Sequence, residues 1–237
     1  MAEKRTGRIT KITQEAPDTK TFRVSLDGSF VAFKPGQFFN LFLFNPDKTF
    51  DARSYSVASS PTKYWYDFTI KFVPGGRFSE KIAKIKEGER VEVMGPFGRM
   101  YYDETKGDNI VLIAGGVGVT PLASMARYIS DKKLETKIAL FYTVRKEEDL
   151  LFKKEFEELA KTNKNFRFIP TITREAAEGW PGEKGRINTE MIKKHVKSAA
   201  SATYFLCGST DMVKGIAEML EKMGVPKEKI EFEDWVK

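Results

Sequence analysis

Hydrophobic residues in the first hundred positions form short runs that are rich in β-branched and aromatic side chains. Within these runs, TFRVSL and WYDFTIKF alternate apolar and polar residues, and turn signals such as DG, KPGQ and VPGG separate them. The pattern predicts a six-stranded antiparallel β-barrel, with strands over residues 6–13, 19–27, 36–44, 53–59, 65–73 and 88–94. One helix is expected in this half, starting after Ser79 with Ile82 and Ile85 on one face.

After the polar segment YYDETKGD the pattern changes to apolar strands that alternate with helices. The predicted strands are NIVLIA, TKIALFYTV, NFRFIPTIT, ATYFLC and KIEFED. The helices between them are expected to begin near Pro121, Asp149, Thr189 and Asp211. This alternation predicts a doubly wound α/β domain with a parallel sheet, which binds ligands at the carboxyl ends of its strands. We therefore expect two domains, over residues 1–104 and 105–237.

Composition narrows the chemistry that is available to the chain. Cys207 is the single cysteine among 237 residues, which excludes a four-cysteine zinc site and an iron–sulfur cluster held by several thiolates. No metal site is expected, and electron chemistry would need an organic cofactor. The uncharged run from Asn109 to Ala126 contains three glycines and Pro121, so it predicts a buried strand, a turn and a helix start, not a membrane span. The charged start MAEKRTG is untypical of a secretory signal, so we expect a cytoplasmic protein.

The net charge of +7 is unevenly distributed along the chain. The first 106 residues have 18 Lys and Arg against 13 Asp and Glu, a net +5, and the remainder has 22 against 20, a net +2. A basic surface can recruit an acidic protein or a phosphate-rich ligand, although a modest excess is more often solvated charge without a function. Nucleic acid is disfavoured, because no dense Lys and Arg stripe with interleaved aromatic residues is present.

The segment GGVGVTP, residues 115–121, lies where the sheet should bind its ligand. Gly115, Gly116 and Gly118 would let a pyrophosphate approach the main chain, and the pattern favours nucleotide binding over a plain tight turn. Thr120 is expected to cap the next helix and Pro121 to occupy its first position.

The residues after the second predicted strand of this half bear on the choice of nucleotide. Arg145 follows FYTV at the position where NADH-selective enzymes usually have an acid that binds the ribose. Arg174 could converge on the same 2′-phosphate. The acidic run at 147–149 is expected in the first turn of the next helix.

Three short motifs in the first half are compatible with a cofactor. RSYS places Arg53 and Tyr55 on one face of a strand and Ser54 and Ser56 on the other. VPGGRFSEKI, residues 73–82, is a glycine-rich turn that leads into a helix and could bind a pyrophosphate, and GPFG, residues 95–98, is a third turn. Each motif alone also fits an ordinary strand or turn, and their order is more specific than any one of them.

Together these motifs make the chain resemble the ferredoxin–NADP reductase superfamily of two-domain flavoproteins. The resemblance implies that Arg53 binds the FAD pyrophosphate, that Tyr55 stacks on the flavin and that Ser56 lies near flavin N5. It implies further FAD contacts from Ser54 and from the PGGRFS turn, through Gly75, Gly76, Arg77 and Ser79. GGVGVTP resembles the nicotinamide-nucleotide loop of the family, in which proline replaces the last glycine.

The same resemblance extends to the end of the chain. FLCGS implies that Cys207 and Gly208 lie beside the nicotinamide, and EDW implies that Glu233 lies near the active centre and that Trp235 covers the flavin. Arg145, Arg174 and Arg186 match cations that bind the 2′-phosphate of NADPH. This favours NADPH, although members that use NADH can carry similar arginines.

The implied function is that of a FAD-dependent NAD(P)H oxidoreductase, in which Ser56, Cys207, Glu233 and Trp235 act at the reacting centre. Its electron acceptor would be a small acidic carrier, ferredoxin or flavodoxin. The alternatives are the reductase component of an oxygenase or another multi-component system, and a nucleotide-binding module without turnover.

Overall fold

The computed structural model describes residues 3–45, 47, 49–174 and 176–233. The first six strands are all antiparallel, in the order β4-β3-β6-β1-β2-β5, and a bridge between Val57 and Phe68 joins the two edges. This confirms the predicted barrel. The strands are β1 (Lys4–Ala16), β2 (Thr19–Leu26), β3 (Phe38–Phe44), β4 (Phe50–Ser56), β5 (Tyr66–Lys71) and β6 (Arg90–Phe97).

Alternating residues of these strands fill the barrel with aromatic and branched side chains. Phe22, Leu41 and Phe68 are fully buried there, and the short helix α1 (Arg77–Ala83) closes one end with Phe78 and Ile82. The helix begins two residues before Ser79, so the expected start after Ser79 is wrong. Gly76 precedes its first turn, and Ser79 lies inside it.

The second six-stranded sheet is entirely parallel, in the order β10-β9-β8-β7-β11-β12. Helices pack on both of its faces over two separate apolar clusters, which confirms the doubly wound domain. Its strands are β7 (Asn109–Gly115), β8 (Lys137–Val144), β9 (Phe166–Ile172), β10 (Glu183–Lys184), β11 (Thr203–Cys207) and β12 (Ile230–Phe232). The helices are α2 (Val119–Asp131), α3 (Lys153–Thr162), α4 (Thr189–His195) and α5 (Thr210–Lys222). The two-residue strand β10 was not predicted.

Two helices of the second domain also begin elsewhere than the sequence suggested. Helix α2 begins at Val119, so Thr120 is not its cap, and the Thr120 hydroxyl donates to the Val117 carbonyl, 3.1 Å away. Pro121 is the third residue of the helix, where its missing N–H still costs no helical hydrogen bond. The acidic run at 147–149 forms a separate 3₁₀ turn, and α3 begins only at Lys153.

The two domains share part of their core. Ala16, Met100 and Tyr102 of the first domain belong to the apolar cluster that surrounds α2, and the Tyr102 hydroxyl lies 3.1 Å from Thr136 Oγ1. The barrel ends at Phe97 and β7 begins at Asn109, so the predicted boundary at 104 falls in the connecting segment and stays a prediction. None of the helices in the described ranges is long and apolar enough to cross a membrane.

Candidate functional site

The RSYS motif forms the end of β4, which lies at the edge of the barrel sheet. Arg53 and Tyr55 point to one face, opposite Leu41 and Phe39 of β3. Tyr55 is half-buried, and this burial raises the pKa of its phenol to about 12. Arg53 is exposed and has no ion-pair partner among the described residues.

The glycine-rich turn before α1 packs against this same face of β4. The Phe78 ring lies 5.5 Å from the Tyr55 ring, and Arg77 Nε lies 2.7 Å from a carboxylate oxygen of Asp51. Gly75 adopts a φ of 74° at the turn. The structure thus brings together the two motifs that the sequence assigned to FAD. The Arg53 Nη1 donates to the Ala52 carbonyl at 2.8 Å, and the guanidinium carries a charge that no carboxylate neutralises among the described residues. An aromatic ring, such a guanidinium and a glycine turn fit a planar group with a pyrophosphate.

Two serines of these motifs already have protein partners. Ser54 points to the outer face of β4, where its hydroxyl donates to Asn40 Oδ1 at 2.7 Å. Ser79 is buried, and its hydroxyl bonds to the backbone of Val73 and Gly76. Ser79 therefore stabilises the turn, and the FAD contacts of both serines stay predictions. Ser56 ends β4, paired with Phe38.

A cavity of about 800 Å³ lies at the carboxyl ends of the parallel strands. The glycine loop contributes Gly115, Gly116 and Val117 to its wall, as ligand binding in a doubly wound sheet requires. Thr143 also lines it, and its Oγ1 is a buried atom without a hydrogen-bond partner among the described residues. Such an orphaned hydroxyl fits a polar ligand that bonds to it.

The barrel supplies part of the same cavity. Ala16, Asp18, Thr19 and Lys71 line it from the β1–β2 turn and the end of β5, with Lys71 Nζ 2.8 Å from Asp18 Oδ2. Sequence analysis missed these residues, because a charged pair at a hairpin carries no signal until the chain folds against the second domain. The cavity is therefore a cleft between the domains.

The ends of β7 and β11 approach each other closely at the glycine loop, which leaves little room for side chains. A Cβ atom on Gly118 would lie 2.4 Å from the Cys207 carbonyl oxygen, and one on Gly208 would lie 3.3 Å from the Gly115 Cα. Only the contact at Gly118 is too short for a side chain unless the backbone shifts, because the nearest atom to a Cβ on Gly208 belongs to the Met212 side chain, at 3.0 Å. Thr120 and Pro121 are buried in α2 and do not line the cavity, so their nucleotide contacts stay predictions.

The three predicted arginines occupy two different environments. Arg145 and Arg186 line the cavity, are exposed and have no ion-pair partner in the described part of the chain. The Arg174 N–H donates to the Arg145 carbonyl at 3.3 Å, but Arg174 does not line the cavity. The structure thus brings two of the three cations to the ligand cleft.

Cys207 ends β11 beside the glycine loop. Burial and, to a smaller extent, the negative charge of Glu233 raise the pKa of its thiol to about 12, so the thiol stays protonated at neutral pH. A neutral thiol can pack and donate a weak hydrogen bond, but it cannot act as a thiolate nucleophile.

Glu233 connects the end of the second domain to the barrel. Its Oε1 accepts hydrogen bonds from the Arg99 N–H at 2.5 Å and the Met100 N–H at 3.3 Å. Gly98 has a φ of 105°, and a Cβ there would lie 2.6 Å from the same oxygen. The predicted GPFG turn therefore receives a carboxylate from the other domain. Trp235 lies outside the described residues.

Two family models match the chain in succession. The one described as "Oxidoreductase FAD-binding domain" matches residues 6–102, and the one described as "Oxidoreductase NAD-binding domain" matches residues 112–218. The chain belongs to the ferredoxin–NADP reductase superfamily. The two domain matches coincide with the barrel and with the doubly wound sheet, so FAD and a nicotinamide dinucleotide are the ligands of this fold.

Individual relatives agree with this family. The glycine betaine monooxygenase reductase subunit of Pseudomonas aeruginosa is 33% identical over 92% of this chain and 60% of its own length. The reductase component of propane 2-monooxygenase from Mycolicibacterium smegmatis is 30% identical over 86% of this chain and 59% of its own. The chain thus spans about 60% of these relatives.

A solved structure matches almost end to end. A ferredoxin NADP⁺ reductase from Neisseria gonorrhoeae, determined with bound FAD and NADP, has a TM-score of 0.83 and covers 98% of this chain and 99% of its own. At 24% identity this similarity establishes the fold alone.

Proposed function

We propose that the chain is a FAD-dependent NAD(P)H oxidoreductase that passes electrons to a separate acceptor protein. One observation carries this proposal: residues 116–118 of the glycine loop lie against strand β5, so the nucleotide cleft opens between the loop and the flavin-motif domain. A nicotinamide held at the end of β7 would therefore face the barrel that carries Arg53 and Tyr55. Bound FAD would supply a two-electron acceptor that can release its electrons singly.

The contribution of the chain is binding, orientation and exclusion of water. Arg53 would neutralise the FAD pyrophosphate and Tyr55 would cover one face of its ring system. The backbone at Gly115 and Gly116 would bind the nucleotide pyrophosphate, and the Thr143 hydroxyl would gain its missing partner. Protonated Cys207 would pack beside the nicotinamide as an uncharged group. The rate then depends on how closely the two domains hold the reacting atoms.

The nucleotide is proposed to be NADPH. Arg145 and Arg186 both line the cleft, and neither is neutralised by a carboxylate within the described residues. Arg145 follows β8 and Arg186 follows β10, and two guanidinium groups on the wall of one cleft suit a 2′-phosphate, which accepts paired hydrogen bonds from arginine.

The acceptor is proposed to be the oxygenase component of a multi-component system, or a ferredoxin that serves one. The support comes from the relatives, which are named as reductase subunits or components of monooxygenases. A dedicated ferredoxin or flavodoxin, the acceptor suggested by the motifs, fits the basic barrel equally well. Assays with each acceptor protein distinguish these alternatives from an oxygenase component.

Anaerobic stopped-flow mixing tests the reaction. We expect purified protein to contain flavin, and NADPH to bleach the flavin faster than NADH does at equal concentration. The reduced protein should then reoxidise when a ferredoxin, a flavodoxin or an oxygenase component is added. A protein that binds flavin and both nucleotides without bleaching would instead be a nucleotide-binding module, and the proposed function would be wrong.

A further inference from the structure

Helix α2 joins the nucleotide loop to the strand end that carries the flavin motif. The helix begins at Val119, directly after the loop, and side chains of its second and third turns bond to the barrel domain. Ser124 is fully buried and its Oγ donates to the Ser59 carbonyl at 2.7 Å. Arg127 Nη1 donates to the Ala58 carbonyl at 2.6 Å. Both carbonyls therefore belong to the segment directly after RSYS.

The segment that receives these bonds is fixed on its other side by the barrel. The Val57 N–H donates to the Gln37 carbonyl at 3.0 Å, and Val57 makes the bridge to Phe68 that joins the barrel edges. A shift of α2 along this segment would therefore move the nucleotide loop relative to Tyr55 and Ser56.

Arg127 is itself held in a defined orientation. Its Nε and Nη2 lie 2.7 and 2.6 Å from the two carboxylate oxygens of Glu155 on α3, a paired geometry that fixes the guanidinium plane. The Phe152 ring lies 4.4 Å from the guanidinium carbon, and the side chain is only 18% exposed. The Glu155 side chain is 45% exposed, and a partly exposed ion pair contributes little to stability, so its geometry is the more informative property.

From these contacts we infer that Arg127, oriented by Glu155 and supported by Ser124, is a positioning residue that sets the distance between the nicotinamide and the flavin. This inference rests on the proposed function. Arg127 does not line the nucleotide cleft, so it acts through α2 and the Ala58 carbonyl, without touching either ligand. Hydride transfer is sensitive to displacements of about 1 Å, which is the scale on which one lost hydrogen bond shifts a helix.

The test replaces Arg127 and compares binding with hydride transfer. In Arg127→Met we expect flavin content and the Kd for NADP⁺ within about twofold of wild type, because no ligand contact is lost. The rate constant for flavin reduction at saturating NADPH should fall by about 10- to 100-fold, with a weaker charge-transfer absorbance before reduction. The rate constant of Arg127→Lys should lie between those of wild type and Arg127→Met, because lysine can reach one partner but cannot pair with both carboxylate oxygens.

A control is available elsewhere in the barrel. Arg8 Nε lies 3.3 Å from Asp27 Oδ1 and its Nη1 lies 3.4 Å from the Gly88 carbonyl oxygen, so these partners belong to the barrel and are outside residues 57–59. Arg8→Met should leave the reduction rate constant unchanged. If Arg127→Met misfolds, Glu155→Gln, which keeps the guanidinium but weakens its orientation, should show the same slower reduction with normal binding.

The distance between the domains gives a readout that needs no turnover. Lys86 and Lys222 are exposed, one in each domain, and can be replaced by spin-labelled cysteines. We expect the label distance distribution to broaden or shift in Arg127→Met and not in Arg8→Met. Wild-type reduction rates and unchanged distances in Arg127→Met would overturn the inference. A wild-type flavin that neither nucleotide reduces would contradict the proposed function instead, and the distances would still decide the positioning role.

Discussion

The surroundings of Cys207, a half-buried residue, determine a measurable reactivity. Its thiol pKa is raised to about 12, so at pH 8 the thiolate fraction is very small. We expect iodoacetamide to label the folded protein on the order of a thousandfold more slowly than it labels a cysteine of ordinary pKa. Mass spectrometry of the labelled chain measures this rate, with the urea-unfolded chain as the reference. Labelling that is equally fast in the folded and unfolded protein would contradict the assigned environment.

The same thiol makes stability depend on pH in a defined direction. The unfolded chain releases this proton near the ordinary value of 9.0, while the folded chain retains it until about pH 12. Between these values the folded state binds more protons, so the free energy of unfolding falls as the pH rises. Urea unfolding at several pH values should show a steeper fall in wild type than in Cys207→Ser. Parallel curves for the two proteins would mean that folding does not raise the pKa of the thiol.

Gly118 is required by a backbone contact. An alanine Cβ there would lie 2.4 Å from the Cys207 carbonyl oxygen, so the loop or β11 must move. We expect Gly118→Ala to lower the free energy of unfolding by about 1–3 kcal/mol and to raise the KM for the nucleotide. Gly28→Ala is the control, because a Cβ at Gly28 meets nothing within 4 Å. Equal stability and equal KM in the two variants would show that the loop is looser than this contact requires.

The choice of nucleotide is decided at two side chains. Arg145→Ala and Arg186→Ala should each lower kcat/KM for NADPH by about 10-fold and change that for NADH much less, because only the 2′-phosphate loses a partner. Arg174→Ala is the matched control, since Arg174 is exposed and outside the cleft. Steady-state assays with both nucleotides measure the ratio of kcat/KM for NADPH to kcat/KM for NADH. An equal loss for NADH and NADPH would assign these arginines to a shared part of the nucleotide.

At the scale of elements, periodicity predicted most strands and the order of the two domains. The barrel and the parallel sheet follow from local alternation, and the residues that line the cleft at Gly115, Gly116 and Arg145 follow from their positions after buried strands. Helix starts were less predictable, because α2 begins directly from a glycine turn and has no side-chain cap. The Asp18 and Lys71 contribution could not be predicted, since it depends on how the two domains pack.

The end of β12 is tied to the barrel by one carboxylate. Glu233 accepts from two N–H groups of the turn after β6, and charged acceptors make such bonds stronger. We expect Glu233→Gln to lower the free energy of unfolding by about 1–2 kcal/mol, because a neutral amide oxygen accepts these bonds more weakly. The pKa of Cys207 should also fall, since the negative charge of Glu233 contributes to raising it.

Urea unfolding and the iodoacetamide rate measure these two effects of Glu233→Gln. Glu228→Gln serves as the control, because Glu228 is exposed in the turn before β12 and has no ion-pair partner within the described residues. Unchanged stability together with an unchanged labelling rate would show that the Glu233 contact does not persist in solution.

At the scale of the whole molecule, charge distribution predicts how the acceptor approaches. The first 106 residues carry a net +5, from 18 basic against 13 acidic side chains, so the flavin-motif half should attract an acidic protein. Raising the ionic strength from about 0.01 to about 0.5 M should slow second-order reduction of a small acidic ferredoxin by about 10-fold or more. Reduction of the flavin at saturating NADPH should change much less, because hydride transfer occurs inside the cleft.

A small uncharged quinone, used as acceptor in the same assay, separates screening of the docking surface from an effect of salt on the fold. If the ferredoxin and the quinone responded equally to salt, the basic barrel would have no role in docking, and the acceptor would have to be recognised by another part of the surface.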